Sequence, residues 1–138
     1  MSGAVAAGNG DITMDVWNGG LTVTNNLTAR NNVRLSTRND INTTGNISGY
    51  RLDIVSNNGG VVLGGALTSL NDTSIQALFS IIINGPVTSG DDIRITSSQS
   101  NVMLNAPLTA RDDITIWAGD KVFRNSTITA GGHVSVHG

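Results

Sequence analysis

The stretch LTARDDITIWAG, residues 108–119, indicates the architecture of the chain because close copies of it recur along the sequence. VTSGDDIRITSS at residues 87–98 and STITAGGHVSVHG at residues 126–138 repeat the same order of apolar, hydroxyl, small and turn residues. The opening triplet recurs at a nearly constant spacing, as Leu27-Thr28-Ala29, Ile47-Ser48-Gly49, Leu67-Thr68-Ser69, Val87-Thr88-Ser89, Leu108-Thr109-Ala110 and Ile128-Thr129-Ala130. A fixed period of about 20 residues is typical of a repeat architecture.

Two further columns of residues, each holding mostly apolar positions two apart, step along the chain with the same period. One column runs Ile12/Met14, Val33/Leu35, Leu52/Ile54, Thr73/Ile75, Ile93/Ile95, Ile114/Ile116 and Val134/Val136. The other runs Leu21/Val23, Ile41/Thr43, Val61/Leu63, Ile81/Ile83, Val102/Leu104 and Val122/Arg124. Alternation with a period of two indicates a strand with one buried face, and segments this short between turn residues exclude helices.

Three short strands in each period predict an all-β fold, a parallel β-helix in which each period forms one coil. Residues 1–138 are expected to form a single such segment of about six to seven coils. Stacking the coils at about 4.8 Å would pair each strand with its counterparts above and below. A β-sandwich or barrel also uses many short strands, but its antiparallel neighbours do not require one residue type to recur at one fixed period.

The triplet column also predicts which side chains point inward. Its third position is always small, which is expected to let the chain bend at a corner with that residue facing the interior: Ala29, Gly49, Ser69, Ser89, Ala110 and Ala130. Its middle position is always a hydroxyl residue, expected to form an outward ladder: Thr28, Ser48, Thr68, Thr88, Thr109 and Thr129. β-Branched residues suit such a stacked sheet surface.

The composition excludes several kinds of partner. Only 13% of the 138 residues are charged, Glu is absent, and the net charge is −2. The few basic residues are scattered, whereas binding to nucleic acid needs clustered Arg and Lys. No apolar run approaches the length of about 18 residues that a membrane span needs, so no membrane insertion is expected. The absence of cysteine excludes disulfides and thiolate metal sites, and no cofactor is predicted.

One corner of the predicted coil is rich in aspartate, and we call Asp72, Asp91, Asp92, Asp112 and Asp113 the Asp corner. Carboxylates repeated at coil spacing suggest calcium, with Asp92 and Asp113 as the weak metal candidates. The favoured interpretation is turn chemistry, in which each Asp bonds its own local backbone. His133 and His137 are expected to be surface residues at the last coil, not a metal pair.

An outward column of the third strand is unexpectedly apolar, and we call Val62, Ile82, Met103 and Phe123 the apolar stripe. With Trp117 and Val55 at nearby sequence positions, these residues are candidates for a partner-binding patch, since exposed apolar patches often mark contacts. The alternative is lateral packing of side chains on a flat sheet. No catalytic residue is predicted.

The repeating text of residues 87–98, 108–119 and 126–138 resembles the haemagglutinin-type repeats of filamentous haemagglutinin and of other exoproteins exported by bacterial two-partner secretion, including contact-dependent inhibition proteins. The resemblance covers nearly the whole chain. It implies a right-handed parallel β-helix in a long extracellular shaft used in adhesion or in presenting a distal domain. The Asn-Pro-Asn motif of the family's secretion domain is missing, because the chain has no Asn-Pro pair.

We therefore expect a non-enzymatic structural segment, excised from a longer repeat shaft, of a secreted adhesin at the bacterial cell surface. Its expected partners are neighbouring coils of the parent chain, other copies through end-to-end association, and a host or bacterial surface receptor. The alternatives are a receptor- or glycan-binding module that uses the apolar stripe or the Asp corner, and a polysaccharide-active enzyme on the same scaffold, since grouped carboxylates can cleave glycosidic bonds.

Overall fold

The computed structural model describes residues 5–7 and 10–138, and all regular elements in that part of the chain are β-strands of three to six residues. No helix that could cross a membrane occurs among these residues. The predicted segment 1–138 is thus described except at residues 1–4 and 8–9. In chain order the strands are β1 (Val5–Ala7), β2 (Ile12–Val16), β3 (Leu21–Val23), β4 (Leu27–Ala29), β5 (Asn32–Thr37), β6 (Ile41–Thr43), β7 (Ile47–Gly49), β8 (Arg51–Ser56), β9 (Val61–Leu63), β10 (Leu67–Ser69), β11 (Thr73–Ala77), β12 (Ile81–Ile83), β13 (Val87–Ser89), β14 (Ile93–Ser97), β15 (Val102–Leu104), β16 (Leu108–Ala110), β17 (Ile114–Ala118), β18 (Val122–Arg124), β19 (Ile128–Ala130) and β20 (Val134–His137).

Every third strand along the chain joins the same parallel sheet, which confirms the predicted β-helix. Sheet 1 has the order β1-β4-β7-β10-β13-β16-β19, and sheet 2 the order β2-β5-β8-β11-β14-β17-β20. Sheet 3 has the order β3-β6-β9-β12-β15-β18. Leu67 lies in register with Val87, and Ile75 with Ile95, so residues one period apart lie on adjacent coils.

The interior is a column of aliphatic side chains enclosed by the three sheets. Leu35, Ile54, Ile75 and Ile95 occupy one register position of sheet 2, and their side chains are fully buried. The small residues that end the sheet 1 strands also face inward, as predicted: Ala29, Gly49, Ser69, Ser89 and Ala110 are buried and Ala130 is half-buried. The hydroxyl residues between them point outward. Burying this apolar surface supplies the main driving force for folding.

Polar side chains at the turns extend the hydrogen bonding along the same axis. The Nδ2 of Asn105 donates to Oδ1 of Asn84 at 2.8 Å, and the Nδ2 of Asn125 donates to Oδ1 of Asn105 at 2.8 Å. Coil spacing at the same corner depends on glycine, because a Cβ at Gly65 would overlap the carbonyl of Gly45 on the preceding coil. The turns therefore stack as closely as the strands do.

Two polar residues occupy inward positions of sheet 3, where apolar residues would be expected. Thr43 lies in register between Val23 and Leu63, is fully buried, and its Oγ1 has no hydrogen-bond partner among the described residues. Arg124 lies in register with Leu104 on the last coil, where it is exposed. The same column thus holds an unpaired buried hydroxyl near one end and a charge at the other.

Candidate functional site

The Asp corner lies in the turns that lead into the strands of sheet 2, and its backbone and side chains form a ladder from coil to coil. The backbone N–H of Asp92 donates to Oδ1 of Asp72 at 3.2 Å, and that of Asp113 donates to Oδ1 of Asp92 at 2.9 Å. His133 continues the series by donating its N–H to Oδ1 of Asp113 at 2.8 Å. The carboxylates of Asp72, Asp92 and Asp113 thus bond the backbone of the next coil, and not that of their own turn as predicted.

The carboxylates of the Asp corner also lie close to one another. Ligand oxygens fall within 4.8 Å of each other in two trios, Asp72–Asp91–Asp92 and Asp92–Asp112–Asp113. Partial burial raises the pKa of Asp91, and the charges of Asp92, Asp72 and Asp112 raise it further. Three carboxylates at an accessible edge fall short of the six to eight oxygen ligands that calcium takes. Because Asp72 and Asp92 already accept backbone hydrogen bonds, capping accounts for their placement.

Basic residues flank this corner without closing it into a cleft. Arg51 lies 3.6 Å from the carboxylate of Asp72, and Arg94 lines the same shallow depression of about 140 Å³. Both arginines belong to strands of sheet 2, whose outward positions face solvent. Ion pairs at such exposed positions are worth about 0–1 kcal/mol each. The depression therefore offers a mixed-charge surface that includes the carboxylates of Asp72, Asp92 and Asp113.

The structure brings the apolar stripe together but places Trp117 on a different sheet. Ile82 lies in register with Val62 on one side and Met103 on the other, and Phe123 follows Met103. Phe123 is 40% exposed, while the other three side chains are half-buried by their neighbours. The remaining candidates lie on sheet 2, with Trp117 beside Thr96 and His137, and Val55 beside Ser36 and Gln76.

The two histidines contact different partners in the described structure. Nδ1 of His133 lies 3.5 Å from Oδ1 of Asp113, while Nε2 of His137 lies 2.9 Å from the hydroxyl of Ser135. Neither histidine belongs to a group of three metal-ligand side chains in the part of the chain that is described. Both histidines are exposed, as expected for surface residues.

A groove that the sequence did not suggest runs across the first three coils on the side of sheet 2. Its lining includes Trp17, Arg34, Arg38, Asn57 and Asn58, and its volume is about 490 Å³. The repeat period does indicate that these side chains are neighbours, because Trp17 and Arg38 are one period apart. The strands before them, β2 and β5, are paired. This mixed aromatic and basic column lies outside the apolar and acidic columns that mark the repeat.

Comparison with models of protein families, with curated proteins and with solved structures finds no match for the chain.

Proposed function

We propose that the chain is a rigid structural segment of a secreted, surface-displayed bacterial filament of the haemagglutinin-repeat type, and that it is not catalytic. One observation carries the structural part: each strand from β4 to β17 pairs in parallel with its counterpart on the coil before and on the coil after. The backbone hydrogen bonds consequently run along the axis of the stack. The secreted location and the adhesin role rest on the resemblance of the repeats to exoprotein shafts.

The connections between strands support a shaft over a ligand-enclosing scaffold. Within residues 10–138 the strands are separated by one to four residues, and no inserted loop rises above the coils to wall a cleft. Functional sites commonly need such loops on a rigid scaffold. The carboxylates of Asp72, Asp92 and Asp113 are held in the ladder along the stack, which favours a role in joining coils over general acid–base chemistry.

Pulling the chain by its ends tests the structural role. Repeat arrays behave as sums of unit stabilities and nearest-neighbour interfaces, so we expect single-molecule force traces with successive steps from one coil at a time. Each coil of about 20 residues should release roughly 65 Å of extended chain. Extension in one event at low force would contradict a mechanical role.

Location and catalysis need separate tests. An antibody raised against the chain should label the surface of intact source cells or the culture medium, and labelling confined to the cytoplasm would overturn the secreted placement. Incubation with polygalacturonate should release no reducing ends above buffer alone. Release that is lost in an Asp92→Asn, Asp113→Asn double variant would favour the polysaccharide-active alternative.

Receptor binding by the apolar stripe is a second candidate function, because Phe123 exposes 40% of its surface in a row of apolar side chains. If this row meets a receptor, Phe123→Asp should abolish binding of the purified chain to intact target cells while circular dichroism stays unchanged. The matched control is Thr22→Asp, at the other end of the same outward row of sheet 3.

A further inference from the structure

The Trp17 groove, lined by Asp15, Val16, Trp17, Arg34, Ser36, Thr37, Arg38, Asn57 and Asn58, combines side chains from three successive coils. Its floor includes the outer surface of sheet 2, where Asp15 lies in register with Ser36 on adjacent strands. The neighbouring turns are fixed by the backbone: Arg38 donates its N–H to the carbonyl of Val16 at 3.0 Å, and Asn57 donates to that of Thr37 at 2.9 Å. The groove is therefore held by the same coil stacking that holds the core.

Trp17 is the most exposed large hydrophobic residue among those described, with 83% of its surface open to solvent. Large aromatic rings usually bury most of their area, and an exposed one offers a flat apolar platform with a single N–H donor at its edge. Trp117, the other tryptophan, is 45% exposed and lies on a strand row without flanking arginines from adjacent coils. The two indoles therefore differ in exposure and in their charged neighbours.

The two arginines of the groove are free to bind an anion. Neither Arg34 nor Arg38 has a carboxylate oxygen within 4.0 Å among the described residues, whereas Arg51 lies 3.6 Å from Asp72. Both side chains are exposed, and the single acid in the lining is Asp15. The local charge of the lining is thus positive, although the whole chain carries a net charge of −2.

We propose that the Trp17 groove binds a carboxylated sugar, such as a uronic acid or sialic acid residue of an oligosaccharide. The C–H face of a pyranose ring packs against an indole, and the paired N–H donors of a guanidinium match the two oxygens of a carboxylate. Asn57, Asn58 and Ser36 supply the amide and hydroxyl groups that sugar hydroxyls bind. A volume of about 490 Å³ is within the usual range for ligand sites.

This activity is independent of the structural role. The groove lies on the side of the rod, and its lining residues Trp17, Arg34 and Arg38 point outward from the stack. A shaft without sugar binding and a shaft with it would have the same coils and the same core. The two proposals can therefore fail separately.

Fluorescence of Trp17 provides the direct test. In a Trp117→Phe variant, Trp17 is the sole tryptophan, so its emission reports on the groove alone. Titration with trigalacturonate or with sialyllactose should change the emission in a saturable way, whereas galactotriose and lactose should leave it unchanged. The two acidic sugars distinguish a uronate polymer from a sialylated glycan as the source. Binding should weaken at higher salt, because the arginines are exposed.

Matched variants assign the binding to the groove. By calorimetry, Trp17→Ala, Arg34→Gln and Arg38→Gln should each weaken binding by about tenfold or more, as expected for loss of a charge-assisted bond or of the platform. Arg94→Gln, in the same outward row of sheet 2 as Arg34, and Trp117→Ala should have no effect. Circular dichroism of every variant checks the fold.

Three outcomes would overturn the proposal. The first is absence of saturable binding of both acidic sugars at millimolar concentration. The second is equal binding of the neutral sugars, which would remove the role of the arginines. The third is binding that Trp17→Ala and Arg38→Gln leave unchanged in folded protein. A response to dextran sulfate alone would likewise contradict recognition of a carboxylate.

Discussion

The triplets Leu108-Thr109-Ala110 and Ile128-Thr129-Ala130 are nearly the same sequence in different surroundings. Leu108 is fully buried between the coils on either side, whereas Ile128, on the last coil, is only half-buried. The same holds one strand later, where Ile114 is fully buried and its partner Val134 is 44% exposed. An inward residue therefore gains its burial from both neighbouring coils and not from its own sequence.

The difference between central and last coils in the loss of stability on substitution should be largest for side chains of the core. Leu108→Ala removes a fully buried side chain from between two coils, so we expect it to lower the free energy of unfolding by about 2–5 kcal/mol. Ile128→Ala removes the equivalent contact from one side only and should cost less than half as much. Urea denaturation followed by circular dichroism measures both, and equal losses would contradict the comparison.

A smaller effect is expected where backbones approach each other. A Cβ at Gly65 would overlap the carbonyl of Gly45, and one at Gly131 would overlap that of Arg111. Gly65 is held by coils on both sides, so Gly65→Ala should cost about 1–3 kcal/mol, as overpacking does. Gly131 lies on the last coil, where the chain can shift outward, so Gly131→Ala should cost less. Gly10→Ala is the neutral control, since no residue in the described part of the chain lies within 4 Å of its added Cβ.

The comparison of central and last coils extends to polar residues at inward positions of sheet 3, namely Thr43 and Arg124. The hydroxyl of Thr43 is buried without a partner, and leaving such a group unpaired costs about 1–3 kcal/mol. Thr43→Val should therefore raise the thermal midpoint and the free energy of unfolding by about 1 kcal/mol. Arg124→Val, at the exposed end of the column, should change the stability little. Destabilisation by Thr43→Val would show that the hydroxyl is satisfied in solution.

The smallest expected effect is a pH dependence at the Asp corner. The pKa of Asp91 is raised above its ordinary value of 3.8 by partial burial and by the charges of Asp92, Asp72 and Asp112. Between that ordinary value and the raised pKa, the folded chain binds more protons at Asp91 than the unfolded chain does. The contribution of Asp91 to stability is therefore present below pH 3.8 and is lost as the pH rises through the raised pKa.

Asp91→Asn should remove this loss, so the variant should gain stability relative to the natural chain as the pH rises. Denaturation from about pH 3 to pH 7 measures the difference. Asp120→Asn, outside the Asp corner, is the control. A gain that is the same at every pH would indicate a cause other than titration.

The register could be predicted from the sequence because the period was visible in three independent columns. Leu67, Val87 and Leu108 lie in register as their spacing required, and the small residues after them face inward. The backbone N–H groups that bond the carboxylates of the Asp corner could not be predicted. The turn residues alone do not show whether a carboxylate bonds its own turn or the next coil. The apolar stripe lies in one row, whereas Trp117 follows Ile116 in a different column of the repeat and therefore lies on sheet 2.

The Trp17 groove is a binding surface that likewise could not be predicted from the sequence. Trp17, Arg34 and Arg38 are inconspicuous in sequence, and they form a surface only because β2 and β5 are adjacent. The amino-acid order alone was enough to give the period, the strands and the buried side of each strand, because stacked equivalent positions force one residue type to recur. Which polar and aromatic groups face one another across coils became visible only in the folded chain. In the Trp17 groove these groups lie about one period apart beside the turns, where the spacing is repeated but the residue type is not.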